Sequence, residues 1–348
     1  MIRFNCDYQE GAHPRILEKL METNMVQTCG YGEDEICDEA RALIRGLCQA
    51  PEASVQFLVG GTQANFTLLS AALRCYQGVI CAETGHIAVH ETGAVEATGH
   101  KVIALPQREG KITAEQVDEY CRLHYGDASH EHMVMPRALY LSEATELGTI
   151  YTRAELSAMR AVCDRWKLYL YIDGARLGYA MASEGCDVDL PFLAQVADAF
   201  SIGGTKQGAL FGEAMVILND ALKEDFRYVI KQKGGMLAKG RLLGIQFNEL
   251  LKDGLYMELS HHAVDLAMRL KGALTEMGVS FLVDSPSNQQ FAILPDAVLD
   301  RLGEKYSYSY QQRVDDTRSA VRFCTSWATR AEDVEQLITD IAALLKAV

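Results

Sequence analysis

A chain of 348 residues, 49% hydrophobic and 23% charged, has ordinary globular composition and enough length to bury a large core, which excludes disordered and fibrous classes. Its formal charge of -14 at pH 7 sets the overall field against nucleic acid and anionic lipid, so small-molecule chemistry is expected. Ten cysteines stand singly with no metal-ligand spacing, the first residues lack an apolar signal core, and no apolar run approaches the roughly 20 residues of a membrane span, so a soluble, reduced, cytoplasmic protein is expected.

The stretch "HPRILEKLMETN" places Ile16, Leu17, Leu20 and Met21 on one helical face, and "DEICDEARALIRGLCQA" repeats the pattern after the glycine-punctuated "CGYGEDE". Short apolar runs then alternate with helical patterns: "SVQFLVGG" and "TQANFTLLSAALRCY", "GVICA" and "HIAVHETGAVEATG", "KVIAL" and "TAEQVDEYCRLH". "ALYLSEAT" and "TRAELSAMRAVCDRW" follow, then "LYLYIDG", "AFSIGGT" and "GEAMVILN". This rhythm predicts an α/β fold with a mostly parallel sheet and helices on both faces. After Asn219 longer helical stretches take over, and alternating strands and helices return from "SFLVDSP" onward. We expect a large domain over residues 1–254 and a small C-terminal α+β domain over 255–348.

Four places at strand ends, where ligands collect in open parallel sheets, carry candidate chemistry. Gly60, Gly61 and Thr62 join an apolar strand to a helix start, which suits either a bound phosphate or a plain tight turn; the pattern is neither a Walker loop nor a dinucleotide fingerprint. Asp173 ends the strand "LYLYID" with Arg176 three residues on, and a carboxylate there is costly unless a cation or a helix N-terminus meets it. In "FSIGGTKQGALFG", glycines flank Lys206 and leave room for a planar ligand near an amine suited to forming a Schiff base; a solvated turn lysine is the bland alternative. His86 and His90 in "ETGHIAVHETGA" lack a third metal ligand, so His86 reads as a ring that stacks on an aromatic ligand, or as a structural histidine.

Taken in chain order, "CDYQEGAHP", "GYGEDE", "GGTQAN", "DGARL", "GGTK" and "VRFCTSW" resemble the threonine aldolase and β-eliminating lyase family of pyridoxal 5'-phosphate enzymes, which has the aspartate-aminotransferase fold (fold type I). The resemblance spans nearly the whole chain. It implies that Lys206 forms the Schiff base with the cofactor and that Asp173 holds a proton on the pyridine nitrogen. His86 would stack on the ring, and Gly61, Thr62 and Thr205 would bind the phosphate. Arg176 and Arg322 would clamp the substrate carboxylate, with Cys6 nearby and Tyr31 entering a neighbouring subunit's site in a homodimer or homotetramer. The implied reaction is cleavage of a β-hydroxy-α-amino acid to glycine and an aldehyde, with His86, His130, His132 or a water as base; the resemblance implies no metal.

The sequence departs from the family pattern at Cys6 and Gly60, where serines are common, and at Glu146, where a histidine is common. "GGTKQG" likewise replaces the more familiar surroundings of the lysine, which suggests a divergent branch. The alternatives are β-elimination or transamination on the same scaffold, a binding protein that kept the fold, and, for want of the glycine fingerprint least favoured, a nucleotide-binding dehydrogenase.

Overall fold

The structure is a computed structural model that describes residues 1–347. Its thirteen strands are β1 (Ile2–Arg3), β2 (Ser54–Leu58), β3 (Gln77–Ala82), β4 (Lys101–Leu105), β5 (Met135–Ser142), β6 (Tyr169–Asp173), β7 (Ala199–Gly203), β8 (Glu213–Ile217), β9 (Ser280–Phe281), β10 (Gln289–Pro295), β11 (Tyr306–Ser307), β12 (Ser309–Arg313) and β13 (Arg318–Cys324). Seven form a central sheet in the order β2-β8-β7-β6-β5-β3-β4. Its pairings are parallel except at β8, which runs antiparallel to both β2 and β7. The parallel strands are nearly continuous apolar runs because helices cover both faces.

The two-residue period of a strand sorts these side chains between two cores. Leu139, Leu141, Leu170, Ile172, Phe200 and Ile202 enter one cluster, with Leu156 and Met159 of helix Arg153–Trp166. Tyr140, Tyr171, Ala199, Met215 and Ile217 enter the other, with Ala64, Leu68 and Leu69 of helix Gly61–Ala72. Continuing the alternation by one step assigns Ser142, Asp173 and Glu213 to the face covered by helix Gly61–Ala72. β8 runs against its neighbours, so its first residue lies level with the last residues of β2 and β7. The site is therefore fixed by register before any side chain is considered.

The segment His86–Gly99, which reads as one helix in sequence, is a short helix His86–Val89 and a 3-10 turn Glu96–Thr98. Thr92 (φ 53°) and Gly93 (φ 70°) take left-handed conformations between them and break the ladder. Beyond Leu251, helix Leu255–Glu276 leads into a four-stranded antiparallel sheet, β12-β13-β10-β9. Leu270 and Leu274 of that helix pack with Val321, Phe323, Leu337 and Ile341 in a third core. Phe4 belongs to this third core and β1 pairs in parallel with β11, so the first residues of the chain join the C-terminal strands. No described helix is long and apolar enough to cross a membrane.

Candidate active site

A cavity of about 310 Å³ opens at the C-terminal ends of β5, β6 and β7. Thr205 and Lys206, two and three residues past Gly203 at the end of β7, lie on one side, and the turn Val59–Thr62 lies on another. Gly60 begins helix Gly61–Ala72, and no side chain caps that N-terminus. Its first amides are therefore available to an anion, at the positive end of the helix dipole. A Cβ at Gly60 or Gly61 would meet no protein atom within 4 Å, and neither residue has positive φ. The space those glycines keep open lies on the ligand side.

Asp173 is 5% exposed and accepts three hydrogen bonds. Tyr140 Oη and Asn65 Nδ2 donate to Oδ2 at 2.6 and 2.9 Å, and the Ala175 amide donates to Oδ1 at 2.9 Å. No Lys, Arg or His stands within ion-pair distance of it among the described residues. Asn65 also donates to Glu91 Oε1 at 2.7 Å, and that oxygen lies 2.8 Å from His86 Nδ1. The carboxylate of Glu91 makes Nδ1 the protonated ring nitrogen and fixes the plane of the imidazole. Asp173 and His86 are thus the two ends of one buried polar chain.

Burial, with the nearby cation of Arg176, lowers the Lys206 pKa below the usual lysine range, against the opposing charges of Asp7, Asp173 and Glu213. Burial pushes the Glu213 carboxyl up to about 8; the Lys206 charge opposes this and the Asp173 charge adds to it. Burial also raises Glu146, despite hydrogen bonds to its Oε1 from the Ser142 hydroxyl (2.6 Å) and the His86 amide (2.8 Å). A less basic lysine beside poised acids is what imine and proton-transfer chemistry requires.

The structure brings Gly61, Thr62, His86, Asp173, Arg176, Thr205 and Lys206 around this one cavity, with Tyr8, Glu146 and Glu213. His132 does not belong to it. It sits with His130 in a 3-10 turn ahead of Met135, where β5 begins, whereas the cavity is at Ser142, where β5 ends. The expectation of His132 as a base is corrected by strand direction, and His130 falls with it. Arg176 lines the cavity, but its Nε and one Nη hold both oxygens of the buried Asp7 at 2.7 and 3.0 Å. The guanidinium fork expected to meet substrate is largely engaged within the protein. Arg322 on β13 lies outside the lining residues, donating to Gln289 Oε1 and the Asn5 carbonyl at 3.0 Å each. Cys6 accepts from Gln9 Nε2 at 3.1 Å, also outside the lining. Tyr31 borders a separate groove with Arg41, Phe57 and Arg227. Asn65, Glu91, Asp7 and Glu213 were not singled out in the sequence; for Glu213 the signal was present, a carboxylate opening an apolar strand, the same feature that marks Asp173.

The residues fit pyridoxal phosphate: a buried acid without a cation, a partly buried lysine, an imidazole in fixed plane, and a bare helix N-terminus. The architecture is that of the aspartate-aminotransferase fold, with Thermus thermophilus aspartate aminotransferase superimposing at a TM-score of 0.69 over 99% of this chain and 91% of that one, at 17% identity. A Leishmania major threonine aldolase structure matches at a TM-score of 0.96 with 42% identity, covering 99% of this chain and 100% of that one. The low specificity L-threonine aldolase of Pseudomonas aeruginosa is 32% identical over 99% of this chain and 98% of its own length. That of Saccharomyces cerevisiae is 24% identical over 89% and 83%.

Fold and site together define a pyridoxal 5'-phosphate-dependent lyase. The chain belongs to the beta-eliminating lyase family, whose model matches residues 9–339.

Proposed function

We propose that this enzyme cleaves β-hydroxy-α-amino acids of the threonine type between Cα and Cβ, giving glycine and an aldehyde. The observation that carries the reading is the 42% identity and TM-score of 0.96 shared with the Leishmania threonine aldolase across the whole chain. Bound pyridoxal phosphate supplies the electron sink that takes up the electrons of the broken bond.

The chain's own residues do the rest. Lys206, its pKa lowered by burial and the nearby Arg176 cation, would hold the cofactor covalently. Asp173, fixed by Tyr140, Asn65 and the Ala175 amide, would keep a proton on the ring nitrogen. His86, held in plane by Glu91, would stack on the ring. Gly61, Thr62 and Thr205 would receive the phosphate. Arg176, which lines the cavity, would orient the substrate carboxylate with its remaining Nη while Asp7 pins the other two nitrogens and removes its rotational freedom. His86 and Glu146, both lining the cavity, take the proton released by the β-hydroxyl.

The working form is a cytoplasmic homodimer or homotetramer with Tyr31 entering a neighbour's site. Met21, Met25, Val26, Tyr31 and Tyr228 are exposed apolar side chains that support such association.

Incubation with L-threonine, L-allo-threonine, phenylserine and L-serine, with product identification, tests the reaction. Glycine with acetaldehyde or benzaldehyde is expected. Pyruvate and ammonia from serine, with no aldehyde from threonine, would overturn it in favour of β-elimination.

A further inference from the structure

Glu213 is a carboxylate where an anion is due. It opens β8, opposite Leu58 at the end of β2 and Gly203 at the end of β7. Glu213 lines the same cavity as the bare turn Gly60–Thr62 and the Thr205–Lys206 segment. It is 3% exposed. The Thr205 hydroxyl donates to Oε1 at 3.1 Å, while Oε2 is buried with no hydrogen-bond partner. A buried oxygen without a partner in the protein calls for one from outside it. Two anions cannot share so enclosed a space without one becoming neutral, as paired carboxylates in active sites show.

We propose that Glu213 carries a proton in the cofactor-loaded protein and donates it from Oε2 to the phosphate group of the cofactor. At a pH where the carboxyl is ionised in the empty site, loading therefore takes up a proton from solvent, which cancels the charge of the carboxylate. The inference rests on the cofactor reading given above.

Burial favours the neutral form, and the Asp173 charge adds to it. β6 contributes Asp173 and the phenol of Tyr171, helix Leu255–Glu276 contributes Tyr256, and the loop after β7 contributes Lys206. The turn Gly60–Thr62 contributes no titratable group, and helix Arg241–Leu251 presents Phe247 to the neighbouring Gly212. The Lys206 charge and the Thr205 hydrogen bond favour the carboxylate, and burial outweighs them, placing the carboxyl at about 8 before any phosphate arrives. A phosphate moves it further in the same direction.

The test is cofactor affinity against pH from 7 to 10, for the full chain stripped with hydroxylamine, in wild type and Glu213→Gln. The Lys206 attachment has its own pH dependence, which loss of the Glu213 charge shifts alike for pyridoxal and pyridoxal phosphate, so the quantity read is the difference between wild type and variant for pyridoxal phosphate in excess of that for pyridoxal. Above a pH of about 8 the wild-type Kd should rise relative to that of the variant, approaching tenfold per pH unit. Pyridoxal, which lacks the phosphate, should show only the smaller shift that comes through Lys206. Equal divergence for pyridoxal phosphate and pyridoxal, or parallel profiles for both, would overturn the proposal.

A second measurement needs no variant. Calorimetry of wild type at pH 8.5, in two buffers of different ionisation heat, should find more protons taken up with pyridoxal phosphate than with pyridoxal, and equal counts would overturn the proposal. A wild type that binds pyridoxal phosphate at no pH would instead overturn the cofactor reading itself.

Discussion

At the scale of single residues, the site is built from groups that are expensive to bury, and their cost makes some of them readable. Asp173 and Lys206 stand out in the sequence because a carboxylate ending an apolar strand and a lysine between glycines each demand a partner. Asn65 does not stand out: it lies 108 residues from Asp173, and only the packing of helix Gly61–Ala72 on the sheet brings its amide within 2.9 Å. Glu91 is hidden for a different reason: its link to His86 forms where the helix stops at Val89, and local periodicity reads the segment as continuous helix. The Asp173 network has a measurable consequence. Asp173→Asn keeps the shape and removes the charge, so the cofactor should still bind while its ring nitrogen loses the group that holds its proton. Turnover of threonine should fall by roughly 10²- to 10³-fold, the usual effect of removing one preorganised electrostatic contact. Steady-state kinetics alongside the visible spectrum checks this, and unchanged kcat would contradict it.

At the scale of elements, strand direction decides membership of the site. The alternation of strand and helix is legible in sequence and predicts the parallel sheet; the reversal of β8 is not, and it is this reversal that turns Glu213 toward the cavity. Direction equally removes His132, which precedes the start of β5. The Gly60–Gly61 turn shows how structure separates two readings that sequence leaves open. A glycine kept for backbone reasons has positive φ or a crowded Cβ; Gly61 has neither. Gly61→Ala should therefore leave the thermal stability of the cofactor-free chain within about 0.5 kcal/mol of wild type. It should nonetheless weaken pyridoxal phosphate binding, because the added methyl occupies space beside the helix N-terminus. A variant that binds the cofactor as tightly as wild type would return the turn to a purely structural role.

At the scale of the whole molecule, the N-terminal segment ties the two sheets to the site. β1 pairs with β11, and a few residues later Asp7 meets Arg176 from the loop after β6 and Asn288 from the segment leading to β10. Burial by itself would raise the Asp7 carboxyl; the charges of Arg176 and Lys206, with hydrogen bonds from Arg176 and Asn288, outweigh it and hold the pKa at about 2. A pKa depressed in the folded state stabilises above the unfolded value, ordinarily 3.8, and that stability drains away as pH falls from there toward 2. The linkage is worth about 2 kcal/mol. Asp7→Asn, which leaves the Arg176 charge buried and uncompensated, should cost about 3 to 5 kcal/mol at neutral pH. Thermal unfolding of both proteins should show a gap that is widest at pH 7 and narrows by pH 3; a gap independent of pH would contradict the assignment. None of this was legible in "CDYQEGAHP", because the partners of Asp7 lie 169 and 281 residues away. The central claim, that Lys206 is the amine that carries the cofactor, is tested most directly by borohydride reduction of the loaded protein followed by peptide mass mapping. The account predicts a single pyridoxyl adduct on Lys206, and an adduct on another lysine, or none, would contradict it.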